Sequence, residues 1–163
     1  MCLVLFCCSL LAAGPAAAAD LPAPADLALE GAAAQREGKP FILFFSFPGC
    51  QFCHVVRQHY LSPLLSRGEL CQRPAIRELD MTSTQKVGGF DGAPGTQQAI
   101  ARQYGIRVAP TVLFVDARGK LLAEPIVGGD VSGLYGGYLD NAFSEARKKL
   151  SAAAAMHGTR RNQ

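Results

Sequence analysis

Blocks of apolar and polar residues divide the chain into segments with the patterns of strands and helices. A continuous apolar and aromatic run at 41–47 is typical of a central strand that is buried on both faces. A second apolar run covers Thr111–Val115, and Ala75–Asp80 is a further strand candidate. Helical patterns with capping residues and glycine stops are predicted over 26–37, 50–66, 96–104 and 134–150.

The order of these elements predicts the fold class. Early strands joined through helices, followed by a strand with a hairpin partner at 120–124, imply an α/β fold with a central mixed β-sheet flanked by helices. One domain at 26–150 contains all of these elements. Outside it we predict a flexible leader at 20–25 and a disordered C-terminal tail at 151–163.

Two further features interrupt the regular pattern. The second helix is expected to be interrupted near Pro63, because proline lacks the N–H that a helix interior needs. A polar, glycine-rich segment at 81–95 reads as a long loop, and loops of that length are often functional. We expect this loop to border the functional site and to help select the partner.

The N-terminus has the pattern of a secretory signal. Residues 1–19 are mostly apolar and end in a run of small residues, and the apolar stretch is too short to span a bilayer comfortably. We predict a signal peptide that is cleaved near Ala19–Asp20, the alternative being an uncleaved anchor or a buried helix. Export into an oxidising compartment follows, and the mature chain keeps Cys50, Cys53 and Cys71.

Composition excludes one class of partner. The chain has 163 residues, with 16 Lys and Arg against 13 Asp and Glu, which gives a formal net charge of only +3. It contains no Trp, and no basic stripe carries interleaved aromatic residues. We therefore expect no nucleic-acid partner.

The motif Cys50-Gln51-Phe52-Cys53 lies where a buried strand ends and a helix begins. Such a position suggests a dithiol redox site. The first sulfur then faces unpaired backbone N–H groups and the positive end of the helix dipole, which stabilise a thiolate. Cys53, one turn further on, is expected to be more shielded and to resolve a mixed disulfide. His54 could add positive charge on the same helix face.

The same residues leave other interpretations open. Cys50, Cys53 and His54 also form a C-x-x-C-H haem-attachment pattern, with Met81 as a distal ligand. Two thiolates and His54 could instead hold Cu(I), whereas the lack of a second ligand pair argues against a zinc site. A purely structural disulfide would close too short a loop to stabilise much. Cys71 fits either a small buried residue or a third redox cysteine.

The segments 41–53 and 105–111 together resemble the thioredoxin family, and most of all its exported bacterial members. This resemblance covers 33–150. It implies a thioredoxin fold, a redox-active Cys50–Cys53 disulfide, a cis peptide bond before Pro110, and an Ala109 backbone that binds an incoming peptide.

Further expectations follow from the resemblance. It implies a monomeric periplasmic thiol–disulfide oxidoreductase that needs no cofactor and binds no metal. Its partners would be client proteins with disulfides, which it reduces, and a membrane thiol-electron transporter, which restores its dithiol.

The sequence departs from the thioredoxin family in and near the motif, where Gln51-Phe52 stands between the cysteines in place of the Gly-Pro of thioredoxins. Gly49 precedes Cys50 where thioredoxins carry Trp, and Phe44 replaces the buried acid that they carry six residues before the first cysteine. We therefore expect His54 or water to assist the deprotonation of Cys53.

Overall fold

Two apolar strands at the centre of a four-stranded sheet organise the fold. The computed structural model describes residues 20–66 and 73–161, with side chains as far as residue 156. The predicted signal peptide and Cys71 lie outside these described residues. The elements are α1 (Leu27–Arg36), β1 (Phe41–Ser46), α2 (Gln51–Val55), a π-helical turn (Val56–Leu61), α3 (Ser62–Ser66), β2 (Ala75–Asp80), β3 (Lys86–Gly88), β4 (Pro94–Thr96), α4 (Gln97–Gln103), β5 (Thr111–Val115), β6 (Ile126–Val127) and α5 (Tyr135–Arg161).

The main sheet has the strand order β2-β1-β5-β6. β1 runs parallel to β2 and antiparallel to β5, so the predicted mixed sheet is confirmed. The hairpin partner of β5 was predicted at 120–124, but it is β6, and Leu121 makes only an isolated bridge with Val115. Asp116 closes a tight turn by accepting the N–H groups of Arg118 and Lys120. Pro125 then precedes β6 and has no N–H to donate.

Side chains of β1 alternate between two cores, one on each face of the sheet. Ile42 and Phe44 pack in the first cluster, which also contains Cys53 and which we call the Cys53 face. Phe41, Leu43 and Phe45 pack in the second cluster, which we call the Val87 face because Val87 of β3 belongs to it. Since both faces are covered, β1 is buried at every residue, as its continuous apolar run predicts.

The helix that follows the motif runs from Gln51 to Ser66, and its α-helical pattern is interrupted just before Pro63, as predicted. It accommodates this proline by widening into a π-helical turn, in which the N–H of Ser62 donates to the carbonyl of Arg57 five residues earlier. In a regular helix the Pro63 ring would clash with the carbonyl of His59. The wider turn is therefore the local response to an internal proline.

Residues 20–25 form a packed segment, so the prediction of a flexible leader is wrong. Leu21 is 6% exposed and belongs to the Cys53 face. The carbonyl of Pro22 accepts the N–H of Glu78 at 3.0 Å, and the carbonyl of Ala25 accepts the N–H of Gly88 at 3.0 Å. These bonds satisfy backbone donors on β2 and β3, which gives the segment a fixed place.

The segment at 81–95 forms the β3–β4 hairpin instead of a plain loop. Gly88 bridges to Asp26 at the start of α1, and the ring of Phe90 packs edge-on against Phe41 at 6.2 Å. The hairpin thus covers the Val87 face, on the other side of the sheet from Cys53. The expectation that this segment borders the functional site is wrong for the hairpin.

The last helix continues past the predicted limit of the domain. α5 has 27 residues and reaches Arg161, so residues 151–161 are helical where a disordered tail was predicted. Alanine has the highest helix propensity, and the run of four alanines at 152–155 extends the helix. None of the helices in the described ranges is long and apolar enough to cross a membrane.

A substitution at Leu21 tests the packing of the N-terminal segment. We expect Leu21→Ala to lower the free energy of unfolding by about 2 to 3 kcal/mol, because it leaves a cavity on the Cys53 face. The control Leu29→Ala changes a side chain that is 71% exposed and should cost less than about 0.5 kcal/mol. Urea unfolding measures both, and equal effects would contradict the packing.

Candidate redox site

The site begins where the chain leaves β1. Gly49 has a positive φ of 81°, a conformation that side chains disfavour, and it turns the chain toward α2. The N–H of Cys50 then donates to the carbonyl of Phe47 at 3.3 Å. Cys50 is the N-cap of α2, which places its side chain at the start of the helix.

Cys50 and Cys53 form a disulfide with Cα atoms 5.2 Å apart. Besides this bond, the Cys50 sulfur accepts the backbone N–H of Cys53 at 3.1 Å. Cys50 is partly exposed, whereas Cys53 is 1% exposed within the Cys53 face. The disulfide therefore joins a partly exposed cysteine to a buried one, and since access governs which sulfur exchanges, Cys50 is the one that a partner reaches first.

The proline loop lies against the same core as the cysteines. The Ala109–Pro110 peptide bond is cis, and both Ala109 and Cys50 pack on the Cys53 face. Two hydrogen bonds fix the loop: the Thr111 hydroxyl donates to the carbonyl of Val108 at 2.7 Å, and the Gly128 N–H donates to the carbonyl of Pro110 at 2.8 Å. Of the predicted site residues, Cys50, Cys53 and Ala109 thus pack on the same core, and Pro110 follows Ala109 directly in the chain.

The loop that follows β6 supports the side chain of Phe52. A Cβ atom at position 129 would lie only 2.8 Å from Phe52 Cδ1, so glycine at this position lets the ring approach the backbone. Tyr60 anchors the loop by donating a hydrogen bond to Asp130. The Tyr60 ring also packs against the ring of Tyr135 at 5.0 Å.

A cleft of about 470 Å³ opens beside the motif. His54 lines it together with Cys50, and the exposed His54 is held through its backbone N–H, which donates to the Cys50 carbonyl at 3.0 Å. Arg57 and Glu78 also line the cleft and form an ion pair there. The hydrogen bond with Glu78 raises the pKa of the Arg57 guanidinium above its ordinary value.

Sequence reasoning missed this ion pair. One signal was present, because Glu78 is an acidic residue in a strand whose residues Ile76 and Leu79 are buried. The register of β1 and β2 places Glu78 directly beside Phe44. Its partner Arg57 lies 21 residues earlier in the chain, and no local pattern relates the two.

The geometry gives no support to a metal or haem site. Among residues 20–66 and 73–156, no three His, Cys, Asp or Glu side chains are grouped as metal ligands. Met81, the distal ligand considered above, packs on the Val87 face, whereas Cys53 packs on the opposite face of the sheet. Met81 therefore does not complete a haem ligand set with Cys53.

The thioredoxin-like domain family matches residues 27–132. The chain belongs to this family. Its match contains both cysteines of the motif, the proline loop and the strands β1 to β6 of the described residues. A Cys50–Cys53 disulfide within a thioredoxin-like domain is the arrangement of a thiol–disulfide oxidoreductase.

Solved structures agree with the thioredoxin-like fold. Thioredoxin f from spinach chloroplast is 17% identical, with 80% of this chain and 97% of that chain covered and a TM-score of 0.53. The DsbH oxidoreductase is 21% identical, with 83% and 93% covered and a TM-score of 0.52. A comparison with curated proteins gives no match. At these identities the likeness establishes the thioredoxin fold.

The anchor of the loop beside the motif is testable through its pH dependence. The hydrogen bond from Tyr60 is the main cause that lowers the pKa of Asp130 from its ordinary value of 3.8. A carboxyl with a lowered pKa stabilises the fold above its unfolded-state pKa, and this contribution is lost as the pH falls through the folded-state value. We expect Tyr60→Phe to destabilise the protein at about pH 7 and to matter less at about pH 3.

Thermal unfolding at both pH values measures this effect. Tyr138→Phe, which changes a ring that is 55% exposed, is the matched control and should show little effect at either pH. A destabilisation by Tyr60→Phe that is the same at both pH values would contradict the assigned role of the hydrogen bond.

Proposed function

We propose that this protein is an exported, periplasmic thiol–disulfide oxidoreductase that reduces disulfides in client proteins. The observation that carries the proposal is the disulfide between the accessible Cys50 and the buried Cys53, beside the Pro110 loop. The thioredoxin-like domain supports the chemistry, and the apolar N-terminal segment of the sequence supports export. A membrane thiol-electron transporter would return the protein to its dithiol form.

The reaction proceeds in two exchanges. The Cys50 thiolate attacks a client disulfide, forms a mixed disulfide, and releases one client sulfur as a thiolate that takes up a proton. Cys53 then loses its thiol proton and attacks the Cys50 sulfur, which releases the second client sulfur. The client gains two electrons and two protons, and the Cys50–Cys53 disulfide forms.

Each group near the motif has a defined part in this scheme. The helix start stabilises the Cys50 thiolate. The Ala109 backbone, next to Pro110, offers a place where an extended client segment can bind beside Cys50. His54 at the cleft wall can add positive charge near the Cys50 thiolate when it is protonated.

Cysteine variants test the two-step scheme. We expect Cys53→Ser to accumulate a mixed disulfide with a client protein, because the resolving thiol is absent. Cys50→Ser should accumulate none, since Cys53 is buried. Non-reducing gel electrophoresis after incubation with insulin measures both, and Cys71→Ser in each background is the control for the remaining thiol. Equal capture by the two variants would overturn the assignment.

The direction of the reaction is tested by the reduction potential. Equilibration of the mature protein with glutathione buffers, with Cys71 replaced, gives the potential of the Cys50–Cys53 couple. We expect a value near that of a reductant such as thioredoxin, roughly −270 mV, because a reductase must give electrons to its clients. A value of about −120 mV would make the protein a disulfide donor and contradict the proposed direction.

A further inference from the structure

An ion pair forms part of the wall of the cleft that exposes Cys50. The charged and polar lining of this cleft consists of Ser46, Cys50, His54, Arg57, Glu78 and Asp80, with Gln51 at the start of the helix. Arg57 comes from the π-helical turn and Glu78 from β2. Their side chains are only 18% and 16% exposed, so water screens their charges less than at an open surface.

The geometry fixes both charges. Arg57 Nε donates to Glu78 Oε2 at 2.7 Å, and Arg57 Nη2 donates to Oε1. The hydroxyl of the buried Ser46 also donates to Glu78 Oε1 at 2.5 Å. The Arg57 guanidinium also contacts an aromatic ring, since its central carbon lies 5.7 Å from the centre of the Phe44 ring. A two-point ion pair held by a third hydrogen bond keeps its orientation.

The pair matters for the redox centre because reduction adds a charge to the same cleft. While the disulfide is intact, Cys50 is neutral, and the charges of Arg57 and Glu78 largely cancel each other beyond the pair itself. When the disulfide is reduced, the Cys50 thiolate becomes a third charge, and its stability depends on the net charge nearby. The remaining titratable groups at this wall are His54 and Asp80, and Asp20 also acts electrostatically on Arg57.

We propose that the Arg57–Glu78 ion pair sets the thiol–disulfide equilibrium of the Cys50–Cys53 couple because each of its two charges neutralises the other at this wall of the cleft. Both residues are positioning residues, since they act on the Cys50 thiolate through the electrostatic field and not by contact with the client. The inference deepens the proposed function and rests on it.

The sign of the effect follows from the balance of the reaction. The oxidised protein and two glutathione thiols give the dithiol and glutathione disulfide, with two electrons and two protons moving to the protein. Any charge that stabilises the thiolate favours the reduced form, as it does in strongly oxidising proteins of this chemistry. Glu78→Gln leaves the Arg57 cation unpaired and favours the dithiol. Arg57→Gln leaves the Glu78 anion unpaired and favours the disulfide.

Equilibration with glutathione buffers tests the inference in protein that lacks Cys71. We expect the equilibrium constant to move by at least about threefold in opposite directions for Glu78→Gln and Arg57→Gln, given two partly buried unit charges in one cleft. The variant that carries both Glu78→Gln and Arg57→Gln should have an equilibrium constant within about twofold of the parent protein, because it has no unpaired charge. The pH dependence of Cys50 alkylation should move with the same signs.

A second ion pair on the same strand is the matched control. Arg77 of β2 pairs with Glu30 of α1, with side chains 27% and 19% exposed, and neither residue lines the cleft. Glu30→Gln and Arg77→Gln should lower the thermal stability and leave the glutathione equilibrium unchanged. If Arg57 and Glu78 had a merely structural role, their variants would likewise lower the thermal stability and leave the glutathione equilibrium unchanged. Shifts in the same direction, or no shift, would overturn the inference.

The design separates this inference from the proposed function and covers variants that do not fold. If the two single variants shift the equilibrium in opposite directions but the protein fails to reduce insulin, the inference stands and the proposed function fails. If the protein reduces insulin but the variants show no opposite shifts, the proposed function stands and the inference fails. Should a single variant not fold, the double methionine variant removes both charges, a replacement that buried ion pairs often tolerate. It should keep the equilibrium within about twofold, and a larger change would contradict the inference.

Discussion

Complete burial of β1 is the constraint on which the rest of the structure depends. All six residues of this strand are buried between β2 on one side, β5 on the other, and a core on each face. A strand enclosed in this way has no room for reactive groups that must meet solvent. The chemistry therefore lies where the chain leaves the sheet, and the turn at Gly49 delivers Cys50 to that point.

The helix after the motif is shaped by a second constraint, its internal proline. The π-helical turn before Pro63 is wider than a turn of a regular helix. It therefore changes the angle about the helix axis between the residues before it and those after it. Val56 and Leu61 remain fully buried on the Cys53 face, and Arg57 between them reaches across to Glu78. Core packing and the charged cleft are thus both compatible with a proline in mid-helix.

Sequence patterns predicted what depends on neighbouring residues and missed what depends on distant ones. The strand Thr111–Val115 was placed correctly because a local run of apolar residues defines it, and the strand candidate Ala75–Asp80 was also confirmed. The helix predicted over 26–37 begins with its capping residue, Asp26, which acts on Leu29 only three residues away.

Three features needed partners far along the chain. The carbonyl of Pro22 pairs with Glu78 of β2. The β3–β4 hairpin is recognisable only once α1 and Phe41 cover it, and the ion pair of the cleft joins a helix to a strand. Within the site, the motif and the proline loop were readable from sequence, whereas the charges around them were not.

The contact between Phe52 and Gly129 ties the redox motif to a distant loop in a way that matters for engineering. A ring that lies so close to the 129 backbone is part of that loop's packing as well as part of the motif. An exchange of Gln51 and Phe52 for the residues of another oxidoreductase therefore removes one contact of this loop, which then depends more on the bond between Tyr60 and Asp130. Gln51, Phe52 and the residue at position 129 should therefore be redesigned together.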